Sequence, residues 1–140
     1  MSTVRLQIVE AIATALGTAT GLTVFRNLDY ALEAENLPVL LVQSGDDAPE
    51  EAPTQNQVLD QVMNLEITVL AAASEDPEAA ADPYEAQVHA ALCGASAFGG
   101  HGVMVNRLGG GWAFDLGDIA ARTVRYRVGF RSRWADLTAA

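Results

Sequence analysis

RTVRYRVGFRSRW, residues 122–134, is the stretch that decides the fold, because two kinds of side chain alternate along it. The apolar residues that alternate with the arginines in this stretch are Val124, Tyr126, Val128 and Phe130, and Trp134 ends it. Its alternating arginines are Arg125, Arg127, Arg131 and Arg133, and Gly129 interrupts their row. Successive side chains of a β-strand point to opposite faces of the sheet. The pattern therefore predicts a long strand over about residues 119–134, with one face in the core and arginines on the other.

Three further strands are predicted upstream. Residues 58–72 alternate in the same way, with apolar Met63, Leu65, Ile67, Val69 and Ala71 on one face and Asn64, Glu66 and Thr68 on the other. This alternation indicates a long antiparallel strand. Residues 37–43, LPVLLVQ, form a nearly continuous apolar run that is typical of a strand buried on both faces. A short strand is predicted over residues 22–26.

Two helices are predicted from apolar residues spaced by three and four. The first spans residues 3–17, with Ser2 or Thr3 as its cap and Gly17 at its end. Its apolar stripe consists of Val4, Ile8, Ala11, Ile12, Ala15 and Leu16. The second begins with Asp82 as N-cap, Pro83 at the first helical position and Glu85 completing a capping box. It runs to about Gly94, and its buried stripe consists of Tyr84, Val88, Ala91 and Leu92.

The remaining segment predicts two short strands, at 103–106 and 112–114, joined in a hairpin by the glycines at 109–111. No internal repeat or composition boundary divides the chain, and its length suits one domain over residues 1–140. The order of elements predicts an α+β fold, with a single, mostly antiparallel sheet and two helices packed on one face.

An acidic loop is predicted over residues 44–57, SGDDAPEEAPTQNQ, because it contains two prolines and no large apolar residue. Its acids are Asp46, Asp47, Glu50 and Glu51. Their spacing is not that of an EF-hand, and solvated loop acids are the more ordinary interpretation. The loop is expected to project into solvent or toward a partner.

Charge is segregated along the chain. All eight basic residues are arginine, and five of them lie within residues 122–133. Residues 1–117 contain three Arg and sixteen acids, whereas residues 118–140 contain five Arg and two Asp. Complementary patches of this kind guide association between subunits. Two interpretations of the arginine row remain open: the solvent face of a strand, or a contact with acids, either Glu66 of the same subunit or the acidic loop of a neighbour.

Enzymatic signals are weak. Glu85, His89 and Cys93 recur every four residues on one helix face, where His and Cys could bind a metal or act together, with His101 as a further ligand. A free Cys on a helix more often packs as a small hydrophobic residue. The chain contains no lysine for a P-loop and no GxSxG motif. We therefore expect no catalytic residue, no metal and no cofactor.

Composition also limits location and partners. A net charge of −10 disfavours general binding to nucleic-acid phosphates, the C-terminal arginines being a local exception. The apolar runs are far shorter than the roughly 20 residues that span a bilayer. The first residues, MSTVRLQIVE, lack the apolar core of a signal peptide. We expect no membrane association, and synthesis in the cytoplasm.

The whole chain resembles the tail terminator proteins of long-tailed bacteriophages, the minor tail protein U-like family. The resemblance rests on an amphipathic first helix, the VFR strand at 24–26, LPVLLVQSGDD at 37–47, a long alternating strand, a helix and the closing VRYRVGFRSRW at 124–134. Related neck and tail-completion connector proteins share this outline.

The resemblance implies a non-enzymatic virion protein, made in the host cytoplasm and located at the head-proximal end of the tail. It implies a homo-hexameric ring that caps the tail tube, ends polymerisation and forms the head-tail joining surface. The implied partners are further copies of the chain, the major tail tube protein and a head-completion or neck protein, with non-specific contact to DNA in the lumen. A connector protein, a small metal-dependent enzyme using His89 and Cys93, and a monomeric ligand-binding domain remain as alternatives.

Overall fold

The computed structural model describes residues 3–28, 31, 37–49, 58–72, 76–116 and 119–133, with the backbone alone for 46–49, 58–60, 114–116 and 132–133. Within these residues, two helices and seven strands follow one another. They are α1 (Val4–Thr20), β1 (Val24–Phe25), β2 (Val39–Pro49), β3 (Val58–Ala72), α2 (Pro77–Cys93), β4 (Ala97–Phe98), β5 (His101–Gly102), β6 (Met104–Leu116) and β7 (Ile119–Arg133).

Five strands form one sheet in the order β1-β2-β3-β7-β6. Only β1 and β2 run parallel, and the other neighbours are antiparallel. The pair β3 and β7 stays in register from Val58 opposite Arg133 to Ala72 opposite Ile119. The two alternating stretches of sequence are thus the centre of the sheet, as predicted.

Both helices contribute to one core cluster with the apolar faces of β3 and β7, which confirms the predicted α+β fold. From α1 the buried residues include Val4, Ile8, Ile12 and Leu16, and from α2 they are Ala81, Val88 and Leu92. They meet Met63, Leu65, Ile67, Val69, Val124, Tyr126, Val128 and Phe130 of the sheet. Burial of each large apolar side chain stabilises the fold by about 1.5–3 kcal/mol.

The opposite sheet face is divided. One end carries a smaller buried cluster of Ala31, Val39, Leu41, Leu70 and Ala121. The rest of this face bears Arg125, Arg127 and Arg131, which are exposed. We call this part the arginine face. The alternation along β7 therefore separates a packed side from a charged side, as the sequence predicted.

The ends of the helices differ from the predictions at two points. Thr3 caps α1 as expected, and its hydroxyl accepts from the Leu6 N–H at 3.1 Å. The helix ends at Gly21, not Gly17, because Gly21 adopts the left-handed conformation (φ 71°) that closes a helix.

The predicted start of α2 at Asp82 is wrong, because Asp76 is the N-cap and accepts from the Ala79 N–H at 3.2 Å. Pro77 occupies the first turn, where a missing N–H costs nothing. Pro83 therefore lies inside the helix, and Glu85 belongs to no capping box.

The predicted hairpin over 103–114 is wrong. β6 continues through the three glycines and pairs with β7, with Gly109 opposite Arg125, Gly110 opposite Val124 and Gly111 opposite Thr123. A Cβ on Gly110 would lie 2.8 Å from the Thr123 carbonyl oxygen, so close approach of the strands requires glycine there. A hairpin of β4 and β5 forms upstream instead, turning at Gly99 and Gly100 with positive φ.

The predicted boundary of the acidic loop is also wrong. β2 extends to Pro49 and pairs with β3 up to Gln61, with a register shift between Ser44 and Asp47. Asp46 and Asp47 thus belong to a strand, because backbone pairing with β3 continues past the last apolar residue. Glu50, Glu51 and the rest of residues 50–57 lie outside the described residues, so the projection of this segment stays a prediction.

Candidate assembly surface

The arginine face is built by the register of three strands. β7 places Arg125 opposite Glu66 of β3 and opposite Gly109 of β6. Arg127 lies between Asn64 of β3 and Asn106 of β6. Arg133, the fourth predicted member, pairs through its backbone with Val58. The register also places Asp60 of β3 opposite Arg131. Arg127 therefore has uncharged neighbours on both sides, whereas Arg125 and Arg131 each lie opposite an acid of β3.

Glu66 makes the intramolecular contact that the sequence suggested. Its Oε1 lies 3.8 Å from Arg125 Nε, and the two side chains are 43% and 69% exposed. An exposed pair at this distance contributes about 0–1 kcal/mol, because solvent screens the attraction. The contact with Glu66 balances only part of the charge of Arg125, and Arg127 lies between two asparagines. The arginine face therefore suits an acidic partner surface.

Arg122 lies on the other side of the sheet, because its position matches Val124 and Tyr126 in the alternation. Its Nη2 donates to Glu85 Oε1 at 3.1 Å and its Nε donates to Glu85 Oε2 at 3.4 Å, a bidentate contact. Arg107 of β6 donates to Glu85 Oε1 at 3.0 Å. We call Glu85, Arg107 and Arg122 the α2 clamp, since it ties α2 to β6 and β7.

The electrostatics of the α2 clamp favour the ionised carboxylate. Burial acts to raise the pKa of Glu85, but the hydrogen bonds from Arg122 and Arg107 and their positive charges outweigh it, so this pKa lies below its usual value. The Arg122 guanidinium also lies 5.7 Å from the centre of the Trp112 ring, in a cation–π contact. Sequence analysis missed the clamp. The sequence did contain one signal for it. Arg122 has the same position in the alternation as the apolar residues of β7, and an arginine on the packed face needs an acid nearby.

The predicted helix face of Glu85, His89 and Cys93 forms a loose chain of contacts. Cys93 Sγ lies 3.7 Å from His89 Nδ1, and the Tyr126 hydroxyl lies 3.5 Å from the same nitrogen. The pKa of Tyr126 is raised, first by burial and then by the neighbouring Cys93. Glu85 is held by the two arginines of the α2 clamp. Glu85 thus contacts arginines, whereas His89 lies between Cys93 and the Tyr126 hydroxyl.

His101 does not join His89 and Cys93. Its Nε2 lies 2.7 Å from Gln7 Oε1, so it links β5 to α1. In the described ranges, no three His, Cys, Asp or Glu side chains come together as metal ligands. Equally, none of the described helices is long and apolar enough to cross a bilayer.

Solved structures share this fold. A chain of the virion of a native gene transfer agent particle is 17% identical, with a TM-score of 0.65, and the match covers 94% of this chain and all of that one. A sheath/tube terminator of an extracellular contractile injection system, in its extended state, is 13% identical with a TM-score of 0.62. That match covers all of this chain and 61% of the terminator chain. At these identities the likeness concerns the fold.

Sequence comparison adds no family assignment. No family model matches the chain, and no curated protein matches it in sequence. The likeness of this chain to known proteins therefore rests on the fold alone.

Proposed function

We propose that this chain is a structural subunit of a phage-like tail, and that it caps the tail tube as a ring. The observation that carries the proposal is the match of fold between all of this chain and 61% of a sheath/tube terminator, together with the match to a virion chain. In this role the chain is a minor tail protein U-like tail terminator with no catalytic function. A hexameric ring ends tube polymerisation and forms the joining surface for the head.

Two charged surfaces receive roles in this proposal. Arg125, Arg127, Arg131 and Arg133 contact acids of a neighbouring subunit or line the lumen of the ring, where they also meet passing DNA. The acids Asp46, Asp47, Glu50 and Glu51, at the end of β2 and in the segment after it, face the tail tube or a neck protein. Arg127, which is exposed and lies between the uncharged Asn64 and Asn106, supports the first role.

Tube capping is tested by adding the purified chain to polymerising tail tube protein from the same source. We expect shorter tubes with a ring at one end in negative-stain electron micrographs, and tubes of unlimited length without the chain. A connector protein, the second candidate, would join a completed tail to a head and leave the length of the tubes unchanged.

The subunit contact is tested by reversing charge on the arginine face. We expect the Arg127→Glu, Arg131→Glu double variant to lose the ring in native mass spectrometry. Each new carboxylate would repel the acids of the neighbouring subunit that the arginine contacts in the wild type. The matched control is Arg127→Lys, Arg131→Lys, which keeps both charges. An intact ring in the charge-reversed variant would exclude the interface role and leave the lumen role.

Metal analysis of the purified protein separates this structural role from the enzymatic alternative. Stoichiometric zinc or iron would contradict the proposal and would favour a metal-dependent enzyme that uses His89 and Cys93.

A further inference from the structure

Within the part of the chain that the structure describes, the outer edge of β6 pairs with no further strand. β6 is the last strand in the sheet order and pairs on one side, with β7. It spans thirteen residues and contains neither lysine nor proline, the residues that commonly protect an edge. Among the described residues, its Met104 and Leu108 are the most exposed large hydrophobic side chains, at 74% and 50%. The register shift between Arg107 and Gly109 gives Leu108 no partner residue on β7.

The opposite edge of the same sheet is partly covered. β1 covers Leu40 and Leu41 of β2. Beyond them, Arg26 Nε donates to the Val42 carbonyl at 2.8 Å, and Arg5 Nη2 donates to the Gly45 carbonyl at 3.1 Å. These side chains occupy carbonyl groups that an added strand would need. Among the described residues, the β2 edge is thus partly covered by β1 and two arginines, whereas the β6 edge has no such cover.

The glycines of β6 point to a close neighbour. Glycine is needed at position 110 because a Cβ there would lie 2.8 Å from the Thr123 carbonyl oxygen. It is needed at position 109 because the backbone there has a φ of 133°, which other residues rarely adopt. Gly111 has neither reason, because a Cβ there would meet no atom within 4 Å and its φ is not in the left-handed region. A glycine inside a strand costs about 0.5–1 kcal/mol relative to alanine. Such a position often marks the close approach of another backbone.

The charge of the adjoining surface identifies the partner. Gly109 lies opposite Arg125 and Asn106 opposite Arg127, so a strand added to β6 runs beside the arginine face. A partner there needs acidic residues, and this chain contains eighteen of them against eight arginines. A second copy thus supplies the complementary charge.

We propose that β6 accepts an extended segment of a second copy as a sixth strand of the sheet. This inference rests on the self-association contained in the proposed function and specifies the surface used. The proposed segment lies outside the neighbour's own β6, because pairing of two β6 edges would close as a dimer and would not form a ring. A contact between two unlike surfaces propagates from copy to copy and closes into a ring when the rotation allows.

The test places lysine on the edge. We expect Met104→Lys, Leu108→Lys to stay monomeric in native mass spectrometry and sedimentation velocity at concentrations at least tenfold above those at which the wild type assembles. The matched control is Leu6→Lys, Leu28→Lys, which adds the same charge at the other two exposed hydrophobic residues and assembles as the wild type does. If the edge variant assembles like this control, the proposal is wrong.

Hydrogen exchange on the wild type provides a second measurement that does not depend on folding of a variant. We expect amides of β6 to exchange at least tenfold more slowly in the assembled protein than in the dilute monomer. Unchanged exchange in β6 overturns the proposal, as does a wild type that stays monomeric at every concentration. The tube-length assay is separate, so tube capping can hold while the β6 contact fails, or the reverse.

Discussion

At the scale of single residues, Glu85 has the largest local role among the described acids, because one carboxylate meets two arginines. Arg122, at 19% exposure, is the more buried partner. Removing the carboxylate leaves this guanidinium partly desolvated without its counter-charge. Glu85 of α2 thus supplies the acid that allows Arg122 to lie on the packed face of β7.

We predict that Glu85→Gln lowers the free energy of unfolding at pH 7 by about 1–2 kcal/mol. Because the pKa of Glu85 is lower in the folded than in the unfolded chain, its contribution is present above the unfolded pKa of about 4.3. It is lost as the pH falls through the folded pKa. Urea unfolding should therefore show a larger difference between Glu85→Gln and the wild type at pH 7 than at pH 3.

The control for this prediction is Glu10→Gln, which removes an exposed acid on α1. It should leave the free energy of unfolding within about 0.5 kcal/mol of the wild type. A Glu85→Gln variant as stable as this control would mean that the α2 clamp contributes nothing net.

At the scale of elements, the sequence prediction and the structure place the start of α2 at different residues. We predict that Asp76→Ala lowers the free energy of unfolding by about 0.5–2 kcal/mol, because it removes the acceptor for the Ala79 N–H. Asp82→Ala, at the predicted but incorrect cap, should change it by less than about 0.5 kcal/mol. Thermal unfolding measures both, and the opposite ranking would restore the sequence prediction.

The glycines of β6 give a second prediction at this scale. Gly110→Ala should lower the free energy of unfolding by about 1–3 kcal/mol, because its Cβ would press against the Thr123 carbonyl. Gly111→Ala should leave the monomer unchanged or stabilise it by up to about 1 kcal/mol, since that Cβ meets open space. Urea unfolding of the monomer compares the two, and equal losses would contradict this account of the strand.

These elements show what the sequence could and could not predict. Strict alternation in 58–72 and 119–133 identified the two central strands, since a period of two follows directly from strand geometry. Helix α1 was found by its stripe in the same way. Glycine and proline misled the prediction: Gly109 to Gly111 resemble a turn and Pro83 a helix start. The neighbouring strand β7 decides how the glycines are used. The start of the helix is decided locally, by the earlier cap at Asp76.

The candidate assembly surface could likewise be predicted from the sequence only in part. The alternation predicted that Arg125, Arg127 and Arg131 share a face, and the contact with Glu66 was anticipated from the parallel reasoning on β3. The α2 clamp was not, because it joins residues 85, 107 and 122 from three elements. The edge position of β6 was also missed, since the order of strands in a sheet is a non-local property that no window of sequence contains.

At the scale of the whole molecule, two electrostatic effects on assembly have opposite signs. Each copy carries a net charge of −10, so general repulsion between copies would be screened by salt, and salt would promote assembly. Contacts between the arginine face and acids of a neighbour act in the other direction, because salt weakens them. The direction of the salt dependence therefore reports which effect governs association.

We predict that raising the salt concentration weakens assembly, because Arg–carboxylate contacts between subunits are short-range and specific while the net charge is spread over the surface. Sedimentation velocity at roughly 0.05 M and 0.5 M salt should show the concentration for half assembly rising several-fold. Arg125→Gln, Arg127→Gln should remove this rise, whereas the Arg125→Lys, Arg127→Lys control should retain most of it. Stronger assembly at high salt in the wild type would show that net repulsion dominates and that the arginine face does not meet the acids of a neighbouring copy.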